Sequence, residues 1–358
     1  MKAIIIILLS CLTTAAYSAE YRARQIAEGF RIPWAIEFLD SERMVINEKN
    51  GTVSLLNIHT GLRQTLFVVN SVDDHGQGGL LDVALAPDSD PERPLLYFTY
   101  SKQTAKGTTV ALARAHVENN QLSQWQELFV ADAVSSTGRH FGSRIAFVDG
   151  YVFFSIGDRG ERENGQDKNT HAGSILRLNL DGSVPDDNPF QKAEGLREIW
   201  SYGHRNPQGL FYDAPTGQLW SSEHGPRGGD EINLIEKGAN YGWATVSHGK
   251  EYWGPINVGD AISLPEMEDP KLVYIPSIAP GNLMLYRGDQ YPELNNHFLA
   301  GALKLTHINI VSTDESGLSE SQRLMTDLGE RIRDIAVSPD GYLYFSTDSG
   351  KVFLLESI

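Results

Sequence analysis

One theme recurs along this chain: a turn built on an acidic residue, proline or glycine, then a short apolar strand that most often runs out in serine or threonine. It reads EFLDSERMVINE, LAPDSDPERPLLYFTYS, AFVDGYVFFSIGD, FYDAPTGQLWSSEHG, YRGDQYPELNNHFLAGA and AVSPDGYLYFSTDSG, six copies in all. Anchored on Met44, Leu96, Val152, Leu219, Phe298 and Leu343, the copies are spaced by 52, 56, 67, 79 and 45 residues. No long segment shows the 3.6-residue apolar period of a helix, so the chain reads as all-β. A repeat of about fifty residues is one four-stranded blade, and six such repeats predict a six-bladed β-propeller of antiparallel sheets. Two packed sandwiches would also use short strands, but they give no reason for six copies of one motif.

This reading makes residues 20–358 a single domain. The first strand, near Tyr21 to Phe30, and the last, Lys351 to Leu355, are expected to pair in one blade and close the ring, which removes long open edges. The excess spacing falls in insertions at 158–195 and 223–285. Both are rich in Gly, Asp, Asn and His. In repeat folds such insertions collect on the binding face.

Before the repeats, Lys2 is followed by AIIIILLSCLTTAA and a run of small residues. A positive start, a short apolar stretch and small residues make a signal peptide over residues 1–19, cut after Ser18 or Ala19, and place the mature chain in the periplasm or outside the cell. No later run reaches the ~20 apolar residues that a membrane helix needs. Cys11 is the only cysteine, so the mature chain can form neither a disulfide nor a thiolate metal site. The rival reading, LLSC as a lipoprotein box with Cys11 acylated, fits poorly because its apolar region would be very short. The formal charge of −16 repels nucleic acid and anionic lipid.

Polar clusters fall at strand ends of different repeats, so a ring can bring them to one mouth. They are HGQGGLLDVALAPD, GRHFGSRIAF, SIGDRG, SYGHRNPQGL, SEHGPRGGDEINLIEKGANYGW, GALKLTHINI and ERIRDIAVSPDG. Lys304, Arg331 and Arg333, with Arg205 beside Asn206, are cations gathered in an acidic protein. That pattern suits a ligand with several carboxylates or phosphates. The turn from Gly225-Pro226 to Asp230-Glu231 offers carbonyl and carboxylate oxygens, which is the donor set of Ca²⁺.

Across nearly the whole mature chain these motifs, above all GHRNPQGL with SEHGPxxxDEINLIxKGxNYGW, resemble the soluble quinoprotein aldose and glucose dehydrogenases that use pyrroloquinoline quinone (PQQ). The resemblance implies His140 as the base that takes the proton of a sugar's anomeric hydroxyl, Asp158 as the carboxylate that orients it, and Arg205 near the reacting quinone oxygen with Asn206 and Gln77 as neighbours. It also implies Lys304, Arg331 and Arg333 on the quinone carboxylates and a catalytic Ca²⁺ on the main-chain oxygens of Gly225 and Pro226. A second Ca²⁺ would be held by Asp230, Glu231 and Tyr241. Trp200, Trp220 and Trp243 are expected to pack in the core, and His75, His171, His204 and His224 to shape the cavity. The partners implied are an aldose and a periplasmic electron acceptor, either a quinone or a small redox protein. Two other readings remain at this point, a Ca²⁺-dependent propeller lactonase and a non-catalytic binding propeller. The clustered cations speak against the first, since a neutral lactone needs no such clamp.

Overall fold

The computed structural model describes residues 20–190, 193–315 and 317–358. The expected signal peptide, and Cys11 with it, lie outside the described residues.

Six four-stranded antiparallel sheets follow one another around a central axis. Blade one is β2 (Pro33–Phe38), β3 (Arg43–Glu48), β4 (Thr52–Asn57) and β5 (Arg63–Val68); blade two is β6 (Leu80–Leu85), β7 (Leu95–Thr104), β8 (Gly107–Glu118) and β9 (Gln121–Val130). Blade three holds β10 (Ile145–Val148), β11 (Tyr151–Ile156), β12 (Ser174–Asn179) and β13 (Ile199–Tyr202), and blade four β14 (Pro207–Asp213), β15 (Gln218–Glu223), β16 (Asp230–Ile235) and β17 (Leu272–Tyr274). Blade five is β18 (Met284–Leu285), β19 (Phe298–Ala302), β20 (His307–Asp314) and β21 (Gly317–Leu324). In blade six β22 (Ile332–Val337), β23 (Leu343–Thr347) and β24 (Lys351–Ser357) are joined by β1 (Tyr21–Glu28), which pairs with β24 from Tyr21 opposite Ser357 to Glu28 opposite Lys351. The two ends of the chain thus close the ring as the sequence predicts.

All six anchor residues fall on the second strand of a blade, so the repeated motif is the hairpin that enters that strand. These strands are buried on both faces, which is why they read as continuous apolar runs such as LLYFTYS. Aromatic rings lock neighbouring blades together: Phe38 on Tyr344 at 5.2 Å, Tyr97 on Phe147 at 5.1 Å and Trp220 on Phe298 at 5.0 Å, all edge-on, the arrangement that ring quadrupoles favour. The expected insertions differ in one respect. Each is interrupted by strands, β12 in the first and β16, β17 and β18 in the second, so Asp230 and Glu231 stand on a strand rather than in a turn.

The axis is plugged by one side chain. Arg144, just before β10, places Nη1 at 2.7 Å from Asp82 and 3.1 Å from Asp334. It donates Nε to Gln208 O at 2.9 Å and Nη2 to Gly281 O at 2.8 Å, and its guanidinium lies 4.3 Å from the Trp34 ring. These partners belong to the five other blades. A buried arginine is tolerated because two carboxylates and two carbonyls replace its water.

Candidate functional site

In an antiparallel blade the start of the innermost strand and the end of the second strand lie at the same end of the ring. Gln77, His140, Arg205, Asn206 and Arg331 precede innermost strands; Asp158, Gly225, Pro226 and Lys304 follow second strands. The topology therefore gathers the candidates at one mouth.

His140 sits at φ 49 in the loop before β10. The loop is held from two sides: Gln77 accepts the His140 N–H through Oε1 at 2.8 Å, and Gly157 comes so near that a Cβ there would lie 2.3 Å from His140 O. The imidazole Nδ1 is 2.6 Å from Asp158 Oδ1, and Asp158 Oδ2 accepts the indole N–H of Trp243 at 2.7 Å. With Nδ1–H donating to a carboxylate, Nε2 carries the free lone pair that a base needs. Burial pushes the imidazole below its ordinary 6.5; the Asp158 hydrogen bond pulls it back and the Arg205 charge adds to the depression.

Arg205 is buried, donates Nη1 to His224 O at 2.9 Å and lies 5.2 Å from the Trp243 ring. Asn206 is fully buried and accepts the Gly142 N–H at 3.0 Å. Arg205 Nε and Asn206 Nδ2 are buried donors with no partner among the described residues. Such orphans cost about 1–3 kcal/mol each unless a ligand or water meets them.

Beside this group a cavity of about 230 Å³ is lined by Trp34, Lys49, Gln77, Gln208, His224, Arg331, Arg333 and Asp348. Both arginines bond Asp348, and Arg331 also donates to Leu303 O at 2.8 Å. Burial would raise the Asp348 carboxyl, but Arg333 and Arg331 outweigh it and hold it below the usual range. His224 lines both this cavity and an adjoining cleft formed by Arg205, Glu223, Gly225, Pro226, Glu231 and Trp243. Burial pushes His224 down to about 3, so it is neutral there. A larger cavity, about 630 Å³, opens among Arg22, Ser41, Tyr342 and Tyr344 at the opposite end of the ring and holds none of the candidates.

A sequence profile described as Glucose / Sorbosone dehydrogenase matches residues 30–355. This chain belongs to the glucose/sorbosone dehydrogenase family. Among family relatives, the aldose sugar dehydrogenase YliI of Escherichia coli K12 is 37% identical over 97% of this chain and 96% of its own length; the quinoprotein glucose dehydrogenase B of Acinetobacter calcoaceticus is 27% identical over 93% and 87%. The solved apo-form of the soluble aldose sugar dehydrogenase of Escherichia coli superimposes with a TM-score of 0.88 at 35% identity, covering 94% of this chain and 100% of that one. The PQQ-bound aldose sugar dehydrogenase of Streptomyces coelicolor superimposes with a TM-score of 0.77 at 23% identity, covering 95% of this chain and 98% of that one, a likeness of fold. With these relatives, the family makes the chain a sugar oxidoreductase.

The quinone that such relatives use fits the residues present. Arginine forks wall the cavity, and the orphaned donors of Arg205 and Asn206 stand close by. Lys304 is the exception: it is exposed and does not line the cavity. The cleft suits a hard cation, since Glu223 and Glu231 face it together with the turn at Gly225 and Pro226. Burial, and after it the Glu223 charge, push Glu231 up to about 8. Of the other expected partners, Tyr241 lines the same cleft and Asp230 does not. Side chains alternate along β16, so Asp230 turns away from Glu231 and accepts the N–H groups of Gly225 and Ala279 at 2.9 and 2.7 Å. The Tyr241 hydroxyl is committed to Leu234 O at 2.5 Å. No group of three His, Cys, Asp or Glu side chains is poised for a metal among the described residues.

The roles of Asp348, Lys49 and Trp243 escape the sequence reading. Asp348 lies in an unremarkable STDSG turn and Lys49 in a hairpin of blade one; Trp243 is buried as expected and also donates its indole N–H to Asp158. The SEHG…NYGW motif that contains Trp243 was a usable signal; the other two had none.

Proposed function

We propose that this chain is a PQQ-dependent aldose dehydrogenase that oxidises the C1 hydroxyl of a sugar to the lactone. The observation that carries the reading is the His140–Asp158 pair, set with its lone pair free beside a cavity walled by arginines. The quinone, when bound, supplies the two-electron acceptor, with Ca²⁺ as a Lewis acid at its carbonyl. His140 takes the hydroxyl proton at Nε2, so that C1 can lose its hydrogen with the electron pair and become a carbonyl. Asp158 fixes the tautomer and favours the imidazolium that forms, while Trp243 holds the second carboxylate oxygen. Arg205 and Asn206 present donors for charge that builds on the acceptor oxygen. Arg331 and Arg333 bind cofactor carboxylates. The main-chain oxygens of Gly225 and Pro226, with Glu231 nearby, would hold Ca²⁺.

No helix among the described residues is long and apolar enough to cross a membrane; we place the enzyme in the periplasm, passing electrons to a quinone or a small redox protein. The test is oxidation of aldoses by the apoprotein with an artificial dye. Turnover that requires both PQQ and Ca²⁺ supports the reading, and lactone hydrolysis without quinone, or turnover with NAD(P) or flavin, defeats it.

A further inference from the structure

Lys49 follows β3 in a hairpin and is the one lysine among the described residues that lines the cavity. Its backbone is pinned between two blades. The Lys49 N–H donates to Arg31 O at 3.1 Å and Ile32 O at 3.0 Å, and its carbonyl accepts the Leu80 N–H at 3.0 Å. Gly79 allows this close approach: a Cβ there would lie 2.4 Å from Lys49 O and 2.6 Å from Lys49 Cγ. The stem is thus fixed and only the ammonium end can adapt.

That ammonium is poorly compensated. It donates to Asp74 O and forms no ion pair among the described residues, although an ammonium has three donors. Burial lowers its pKa; the Asp74 charge pulls it back, the Arg333 charge adds to the depression, and Asp73 and Asp348 oppose it more weakly. A half-buried ammonium that shares a cavity wall with Arg331 and Arg333 is suited to pairing with an anionic group.

The charge balance points the same way. At the cavity wall Arg331 and Arg333 share the single carboxylate of Asp348, leaving a surplus of one positive charge. Among the residues that line the cavity, Lys49 raises the surplus to two, a wall suited to a ligand with more than one carboxylate. Lys304 is exposed and lies outside the cavity lining.

We propose that Lys49 pairs directly with a carboxylate of the bound quinone and is the third cation of its clamp. This rests on the quinoprotein reading above. The test is titration of the apoprotein with PQQ in Ca²⁺ buffer, followed by quenching of indole fluorescence and by the shift in melting temperature, so that no turnover is needed. Lys49→Met should raise the dissociation constant on the order of tenfold to a hundredfold, the worth of a charge-assisted bond. Lys49→Arg should recover most of the affinity, Lys304→Met should lose less, and added salt should narrow the gap between wild type and Lys49→Met. Lys49→Gln is a second neutral variant should Lys49→Met lower the melting temperature of the apoprotein. Wild-type binding with affinity unchanged within twofold in both neutral variants overturns the assignment alone. A wild type that binds no PQQ overturns the quinoprotein reading, and this assignment with it.

Discussion

Arg333 grips Asp348 at two points, Nε to Oδ1 at 2.8 Å and Nη2 to Oδ2 at 3.0 Å. The same carboxylate takes Nε of Arg331 at 2.7 Å. Both forks are therefore oriented before any ligand arrives, and a ligand carboxylate meets donors whose conformational freedom is already lost. Arg333→Ala should weaken PQQ binding by about 1.5–3 kcal/mol and slow the saturated enzyme far less. Equilibrium titration checks this, and wild-type affinity in the Arg331→Ala, Arg333→Ala double variant would remove both residues from the clamp.

The His140 pair predicts a pH profile. Because burial holds the imidazole below its ordinary value of 6.5, the rate of quinone reduction should be level near neutrality and fall along an acid limb centred below pH 6.5. His140→Gln should slow reduction about 10² to 10⁴ times, the usual worth of a positioned base, and abolish the limb. Asp158→Asn removes the interaction that raises the imidazole, so its slower reduction should carry a limb moved further toward acid. A limb that stays in place in His140→Gln would assign it to another group.

Glu37 lines one cavity with Asp82 and Asp334, and burial pushes its carboxyl up to about 8 against an ordinary 4.5. The folded protein therefore holds a proton on Glu37 that the unfolded chain releases between pH 4.5 and 8, and stability from this group declines as pH rises through that window. Glu37→Gln keeps the neutral form at every pH. It should raise the melting temperature by roughly a few degrees at pH 8.5 and change it little at pH 5; equal shifts at both values would contradict a protonated Glu37.

Removal of Ca²⁺ should also be visible in stability. If a cation sits between Glu223 and Glu231, a chelator should lower the melting temperature, and Ca²⁺ at a hundred times its dissociation constant should restore about 2.7 kcal/mol by mass action. A melting curve indifferent to both would leave the cleft without a metal.

The ring was legible because its signal is local. The hairpin entering each second strand carries its own turn residues and apolar run, and six copies sit within a few tens of residues of one another. The candidates His140, Asp158, Arg205 and Asn206 were legible because each lies in a motif. Arg144 was not: its partners Asp82 and Arg333 are 62 and 189 residues away, and nothing in GSRIAF marks an arginine that spans six blades. Asp348 and Lys49 are site residues only because the blades fold them against Arg333. The strands β12 and β16 were hidden for a local reason, being six residues each between Gly- and Asp-rich loops.

The central claim is most directly tested by a single turnover without oxygen. Apoprotein loaded with PQQ and Ca²⁺ is mixed with an aldose in the stopped-flow, and the quinone absorption is followed. The account predicts loss of the oxidised spectrum with one sugar converted to lactone per quinone, a slower rate when C1 carries deuterium, and a spectrum that persists in His140→Gln despite bound cofactor. An oxidised spectrum unchanged by any aldose in the loaded wild type, or reduction at the wild-type rate in His140→Gln, would contradict it.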